Sequence, residues 1–246
     1  MIEVMFDQNP IIWDMLDNLW GKKLGVKLQY GTQSGYCCDV LNSFNTTFGS
    51  DYVFGNNIRI WGANGKDEIV KKSIISSSTL IKINKYEKQY GSIGNVLPIP
   101  IGLNSPLIGR GGFKGMGDYF DNYLNYVKWL FLDDEQKKKP KNIPNIKINF
   151  MEDEASDAYK AATNYFSKFD NYCDYIETNL LQPFFMDSEY QYVKKLDFRK
   201  FLCGEELMNK FIDQSIEIIK EREALVFSLI KESKLKNLLA NYRCEF

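Results

Sequence analysis

The chain of 246 residues contains no histidine. That absence excludes Ser-His-Asp and Cys-His nucleophile systems, histidine general bases, His-ligated zinc and haem held by His. Arginine is nearly as scarce. Arg59, Arg110, Arg199, Arg222 and Arg243 are five of 31 cations, set against 32 acidic residues for a net charge of −1. No global basic field draws such a chain onto nucleic acid, and the fork that reads phosphate bidentately is in short supply. No run approaches the ~18 apolar residues that span a bilayer. The start, Met1-Ile-Glu-Val-Met-Phe-Asp7, has neither a basic nor an apolar leader region. The five cysteines (Cys37, Cys38, Cys173, Cys203 and Cys244) show no C-x-x-C spacing, so reduced and mostly buried thiols are expected. These absences together point to a cytoplasmic protein without a membrane partner. Any catalysis would have to use carboxylates, Lys, Tyr, Cys, an oxygen-held metal or a cofactor.

What is present suits a globular chain. Hydrophobic residues make up 44% and charged residues 26%, which is enough to bury a core without staples. The patterning predicts an α+β fold, a predominantly helical single domain over 1–246. Its 1–66 part contains a small antiparallel sheet, and its 67–246 part is mainly helical. Asn9-Pro10 opens a helix carrying Ile11, Ile12, Met15, Leu16 and Leu19 and stopped by Gly21. Strands are predicted at Val26–Tyr30, Asp51–Phe54 and Ile58–Trp61, with a further extended segment at Val96–Ile101. Helices are expected near 67–90 with a break at Ser76–Ser78, and near 118–132, 154–168 and 171–182. Residues 184–203 read as irregular. A long helix over 205–239 would bury Leu207, Phe211, Ile218, Leu225 and Leu229. Its Glu217, Lys220, Glu221 and Arg222 would lace a solvent-exposed face.

The richest stretch chemically lies between Gly91 and Gly117, which holds eight of the seventeen glycines. Gly109-Arg-Gly-Gly-Phe-Lys-Gly-Met-Gly117 leads into a helix, where free amides can cradle an anion. Gly111 and Gly112, with Arg110 and Lys114, are the candidates for such a site. The spacing fits neither a P-loop nor G-x-G-x-x-G, and a tightly turned loop explains the glycines equally. Asp118 and Asp121 stand one turn apart on the following helix, able to hold Mg²⁺ or Mn²⁺ through oxygens or simply to complement the helix dipole. Glu152, Asp153, Glu154 and Asp157 form a second acidic cluster with the same two readings. Lys137, Lys138, Lys139 and Lys141 read as a solvated basic loop.

Several segments, in order, resemble an uncharacterised bacterial family of domain-of-unknown-function proteins. The family's opening helix ends in Leu-Trp-Ser-Lys, matched here by Leu19-Trp-Gly-Lys22. Its Arg-Gly-Phe-Asn and Asp-Arg-Phe-Asp correspond to Gly111-Gly-Phe-Lys114 and Asp118-Tyr-Phe-Asp121. Its Arg-Ser-Ile-Glu-Phe-Ile-Glu-Ala-Arg resembles Gln214-Ser-Ile-Glu-Ile-Ile-Lys-Glu-Arg222. The family's Arg is displaced to Arg110, and its Asn becomes Lys114. The resemblance implies an accessory gene product of the phage-defence or toxin-like kind, an association that names no reaction.

Three functions follow as expectations. The leading one is a phage-defence or abortive-infection effector that binds a host or phage component, protein or RNA. The second is a metal-dependent nuclease or phosphoryl-transfer enzyme, with Asp118 and Asp121 on the metal and Arg110 or Lys114 on phosphate. The third is a non-catalytic protein-binding module of host or phage origin.

Overall fold

The computed structural model describes residues 9–41, 76–101, 120–139, 157–194 and 205–230. They form a mostly helical structure with a two-stranded antiparallel sheet near the N-terminus and a long C-terminal helix, as the patterning predicts. Helix α1 (Pro10–Leu16) starts as expected. The Asn9 side chain accepts the Ile11 amide at 2.8 Å, and Pro10 occupies the first turn, where its missing N–H costs nothing. Gly21 does not stop it. The helix widens into a π turn (Asp17–Gly21) and continues through Lys22–Leu24 to Gly25, which adopts the left-handed conformation at φ 72°.

The predicted strand at Val26–Tyr30 does not form. Its Leu28 amide is taken locally by the Asp17 carboxylate at 2.7 Å, so the segment turns rather than pairs. The proposed strands at 51–54 and 58–61 lie outside the described residues. The sheet is instead β1 (Tyr36–Val40) against β2 (Val96–Pro100), with Tyr36 opposite Pro100 and Val40 opposite Val96. Leu41 donates to Asn95 at one end of the ladder and Ile101 to Gly35 at the other. Pro98 and Pro100 therefore fall at the pairs without ladder bonds, where no N–H toward β1 is lost. They also remove two donors from the outer edge of β2, which bars strand addition at those positions.

Helix α2 (Ser77–Tyr90) begins at a Ser76 cap; the helix expected ahead of it, from residue 67, lies outside the described residues. Helices α3 (Phe120–Leu130), α4 (Asp134–Lys137), α5 (Asp157–Phe166), α6 (Tyr172–Thr178) and α7 (Glu205–Leu229) follow. Along α7 the buried residues include Phe211, Ile212, Ser215, Ile216, Ile218, Ile219, Arg222 and Val226, a three-and-four spacing that packs on α2 and on the short 3₁₀ turn Ile93–Asn95, while the side chain of Leu207 lies outside the described residues. Leu229, expected on this stripe, is 60% exposed. The central layer is unusually aromatic: Trp20, Tyr86, Tyr123, Tyr165, Tyr175 and Phe184 are all fully buried. Of the cysteines, Cys38 is buried, Cys37 half-buried and Cys173 exposed rather than buried.

Asp174 joins the end of α1 to α6. Its carboxylate accepts from Lys23 Nζ, the Asp170 amide and Thr178 Oγ1, each at 2.9 Å. Partial burial pushes its pKa up, but those three donors and the Lys23 charge outweigh it and hold the carboxyl below the ordinary 3.8. A depressed folded-state pKa stabilises the fold above the unfolded value, and that contribution is lost as pH falls through 3.8 and below. Asp174→Asn is therefore expected to cost about 0.5–1 kcal/mol at neutral pH and to blunt the acid loss. Urea midpoints at pH 6 and pH 3 check this: the wild type should fall further between the two than the variant.

Candidate functional site

The sequence-predicted anion and metal site does not come together among the described residues. Arg110, Gly111, Gly112, Lys114 and Asp118 lie outside them. Asp121 stands in the first turn of α3, though its side chain too lies outside the described residues. Of the second acidic cluster, only the backbone of Asp157, at the start of α5, is described. Among the described residues no three Cys, Asp or Glu side chains converge to hold a metal ion.

Two features that sequence reasoning missed stand out among the described residues. The first is Arg222. Grouped with Glu217, Lys220 and Glu221, it is expected on a solvated face, yet the side chain is completely buried while those neighbours are exposed. Its Nη1 donates to the carbonyls of Ile93 (3.1 Å), Gly94 (3.0 Å) and Val96 (2.8 Å). Its Nε and Nη2 both donate to the Asn179 carbonyl, at 3.3 and 3.1 Å. The ring of Trp20 lies under the guanidinium at 5.6 Å. Burial pushes the pKa of this group down to about 9, against an opposing pull from Cys38, Tyr175 and Tyr165, so it is still cationic at neutral pH.

The countercharge is backbone dipole. Asn179 caps the C-terminus of α6, where unpaired carbonyls carry the negative end of the helix dipole. The Trp20 indole N–H takes the Thr178 carbonyl at 2.7 Å, and Arg222 takes the next one. Leu180 then enters the left-handed region at φ 54° and closes the helix with a Schellman pair: Leu180 N–H to Glu177 O and Leu181 N–H to Ile176 O. A leucine there carries strain of about 1–2 kcal/mol, compensated by the burial of Leu180 and Leu181. Two remote side chains thus fix where α6 ends and in which direction the chain leaves.

The second feature is what leaves. After the 3₁₀ turn Gln182–Phe184, the chain forms a hairpin based on the Phe185–Val193 bridge. Lys194 N–H donates to Phe184 O at 2.7 Å and Met186 N–H to Tyr192 O at 2.8 Å. The carboxylate of Asp187 staples the tip. One oxygen accepts the Glu189 and Gln191 amides at 3.0 Å each, and the other accepts the Tyr192 amide at 2.8 Å. The Gln191 bond foremost, then those from Tyr192 and Glu189 and the charge of Lys128, hold Asp187 below the usual carboxylate range against slight desolvation. Tyr190 adopts φ 56°, packs edge-on to Phe185 and donates to Glu177. Lys128 of α3 donates to Gln191 at 2.8 Å.

Alternation across this ribbon sends Phe185 and Val193 inward. Met186 and Tyr192 face outward and are 74% and 70% exposed. The turn-former Asp187-Ser188 between two β-prone aromatic runs, Phe184–Met186 and Tyr190–Val193, is the signal by which sequence could have found this hairpin.

Beneath it, Tyr165 and Tyr175 are buried phenols; the Tyr175 hydroxyl lies 3.3 Å from that of Tyr123. Desolvation first, then the neighbouring phenols, push both pKa values well above 10.0, so these groups stay neutral and act as packing. The chain matches no family model, no curated protein and no solved structure.

Proposed function

We propose that the protein acts by binding, as an effector in phage defence that engages a protein component of the host or the phage through the 185–193 hairpin. One observation carries this reading: Met186 and Tyr192 stand side by side in solvent on a ribbon whose backbone is already fixed by Asp187, Phe185 and Lys128. Tyr and Met are enriched at protein interfaces, Tyr because it offers large area for little lost side-chain entropy and Met because it moulds to a partner. A preorganised loop gives up little further entropy on binding. The defence role draws its support from the resemblance of the Leu19–Lys22, Gly111–Lys114 and Gln214–Arg222 segments to the bacterial accessory family.

A double variant, Met186→Ala/Tyr192→Ala, tests it. Both side chains are exposed, so the urea midpoint should not move. Cells expressing the wild type should plate a panel of phages less efficiently than empty-vector cells, and the double variant should give up at least about tenfold of that protection, the loss of one hot-spot contact. Normal plaquing with the wild type removes the defence role. Full protection by the double variant removes the hairpin as the contact.

A further inference from the structure

A cleft of about 300 Å³ opens at the end of the sheet where Tyr36 meets Pro100. One wall comes from α5 and its C-terminal turn, where Ala161, Asn164 and Lys168 follow at three- and four-residue steps and so share a stripe. The next stripe of the same helix, with Ala162, Tyr165 and Phe166, faces the core. The facing wall is apolar, made by Leu24, Val26 and Pro100.

Among the described residues, half-buried Lys168 forms no ion pair and the exposed Asn164 side-chain amide has no hydrogen-bond partner. Among the described residues no acidic side chain lines the cleft, and Lys168 is the single formal charge there. Gly25 and Gly35, both left-handed, stand at the rim with nothing within 4 Å of where a Cβ would be, which leaves the mouth open. At about 300 Å³ the cleft stands at the small end of ligand pockets, the size for a small metabolite rather than a cofactor.

We propose that this cleft binds a small organic acid, its terminal carboxylate on Lys168 and Asn164 and its apolar body against Leu24, Val26 and Pro100. A lone lysine facing an apolar wall suits one negative charge on a hydrophobic body. Inorganic phosphate would leave the apolar wall unused, and a cation would meet Lys168. The site uses none of the residues of the 185–193 hairpin, so it stands or falls separately from the partner-binding reading.

The test is an NMR titration of the full chain with benzoate and hexanoate, alongside neutral benzamide and inorganic phosphate, following the amide signals of Ala161, Asn164 and Lys168. The acids should saturate in the millimolar range, as ligands of under about ten heavy atoms do. Lys168→Met, which keeps the stem and removes the charge, should weaken them about tenfold, the ~1.4 kcal/mol of one charge-assisted contact. Benzamide should bind the wild type and Lys168→Met alike, and more weakly than benzoate. Ala161→Phe, which fills the cleft, should abolish all organic binding; unchanged urea midpoints show that both variants fold. The proposal is overturned if neither acid binds, if benzamide equals benzoate, if phosphate binds as well as the acids, or if Lys168→Met leaves acid affinity unchanged.

Discussion

Arg222→Ala is expected to cost about 3–5 kcal/mol, comparable to the whole stability of many domains. The substitution leaves the carbonyls of Ile93, Gly94, Val96 and Asn179 facing a dry interior without that donor, at about 1–3 kcal/mol for each group that finds no water. It also removes the cation that rests on Trp20. Arg222→Met separates volume from hydrogen bonding: it fills much of the space, relieves the desolvation of the charge and still strands the carbonyls. Arg222→Lys separates charge from geometry, because one ammonium cannot reach both the Asn179 carbonyl and the 93–96 set as a planar fork does. Urea unfolding should rank the wild type above Lys and Lys above Met and Ala. A Met variant within about 1 kcal/mol of the wild type, inside the range of an ordinary substitution, would show that the cage contributes little.

Gly94→Ala is the second large effect, about 2–3 kcal/mol from overpacking. A Cβ at residue 94 would run into the Ile219 carbonyl oxygen and lie 2.9 Å from Glu223 Cβ and 3.0 Å from the Glu223 amide nitrogen. Those are mostly backbone atoms of α7, which no rotamer change can move, so the helix itself must shift away from the 93–95 turn. That shift would also pull the guanidinium from its acceptors. The double variant Gly94→Ala/Arg222→Met should therefore lose less than the sum of the two singles. Strict additivity in urea midpoints would mean that the seam does not act as one unit.

How far the sequence could be read follows from where each residue finds its partners. The Pro10 helix start and the Ser76 cap rest on contacts within a few residues, and each is legible; Val96–Pro100 is legible as an extended segment from its own residues, while its partner strand Tyr36–Val40 lies far away in sequence. Val26–Tyr30 misleads because β propensity describes a half-buried pleat, whereas here the Asp17 carboxylate binds the Leu28 amide first. Leu229 stands a whole number of turns from buried Phe211, so helical phase alone places it on the core face, yet it is exposed while Val226 and Ile230 beside it are buried.

Arg222 misleads most. Its immediate neighbours are the charges of a surface helix, while its acceptors lie 43, 126, 128 and 129 residues away. No local pattern encodes such a partner. The hairpin was half visible in its turn residues, but the exposure of Met186 and Tyr192 depends on how α6 ends, and that is set by Trp20 and Arg222. The glycine-rich candidates from Arg110 to Asp118 lie outside the described residues.

The π turn at Asp17–Gly21 sets the angular phase of the first helix. Residues four apart on an α-helix overshoot a full turn by about 40°, so a row of Ile12, Leu16, Trp20 and Leu24 would wind off any single face within three steps. All four are buried here, because one turn is closed five residues apart and absorbs the overshoot. The widened turn behaves as a one-residue insertion without a loop. Trp20 is the side chain whose aim depends on it, since its ring must lie under Arg222 while its N–H meets Thr178. A chain one residue shorter between 17 and 21 would keep a regular helix and rotate that indole away from both. Length along this helix is thus constrained as tightly as residue identity.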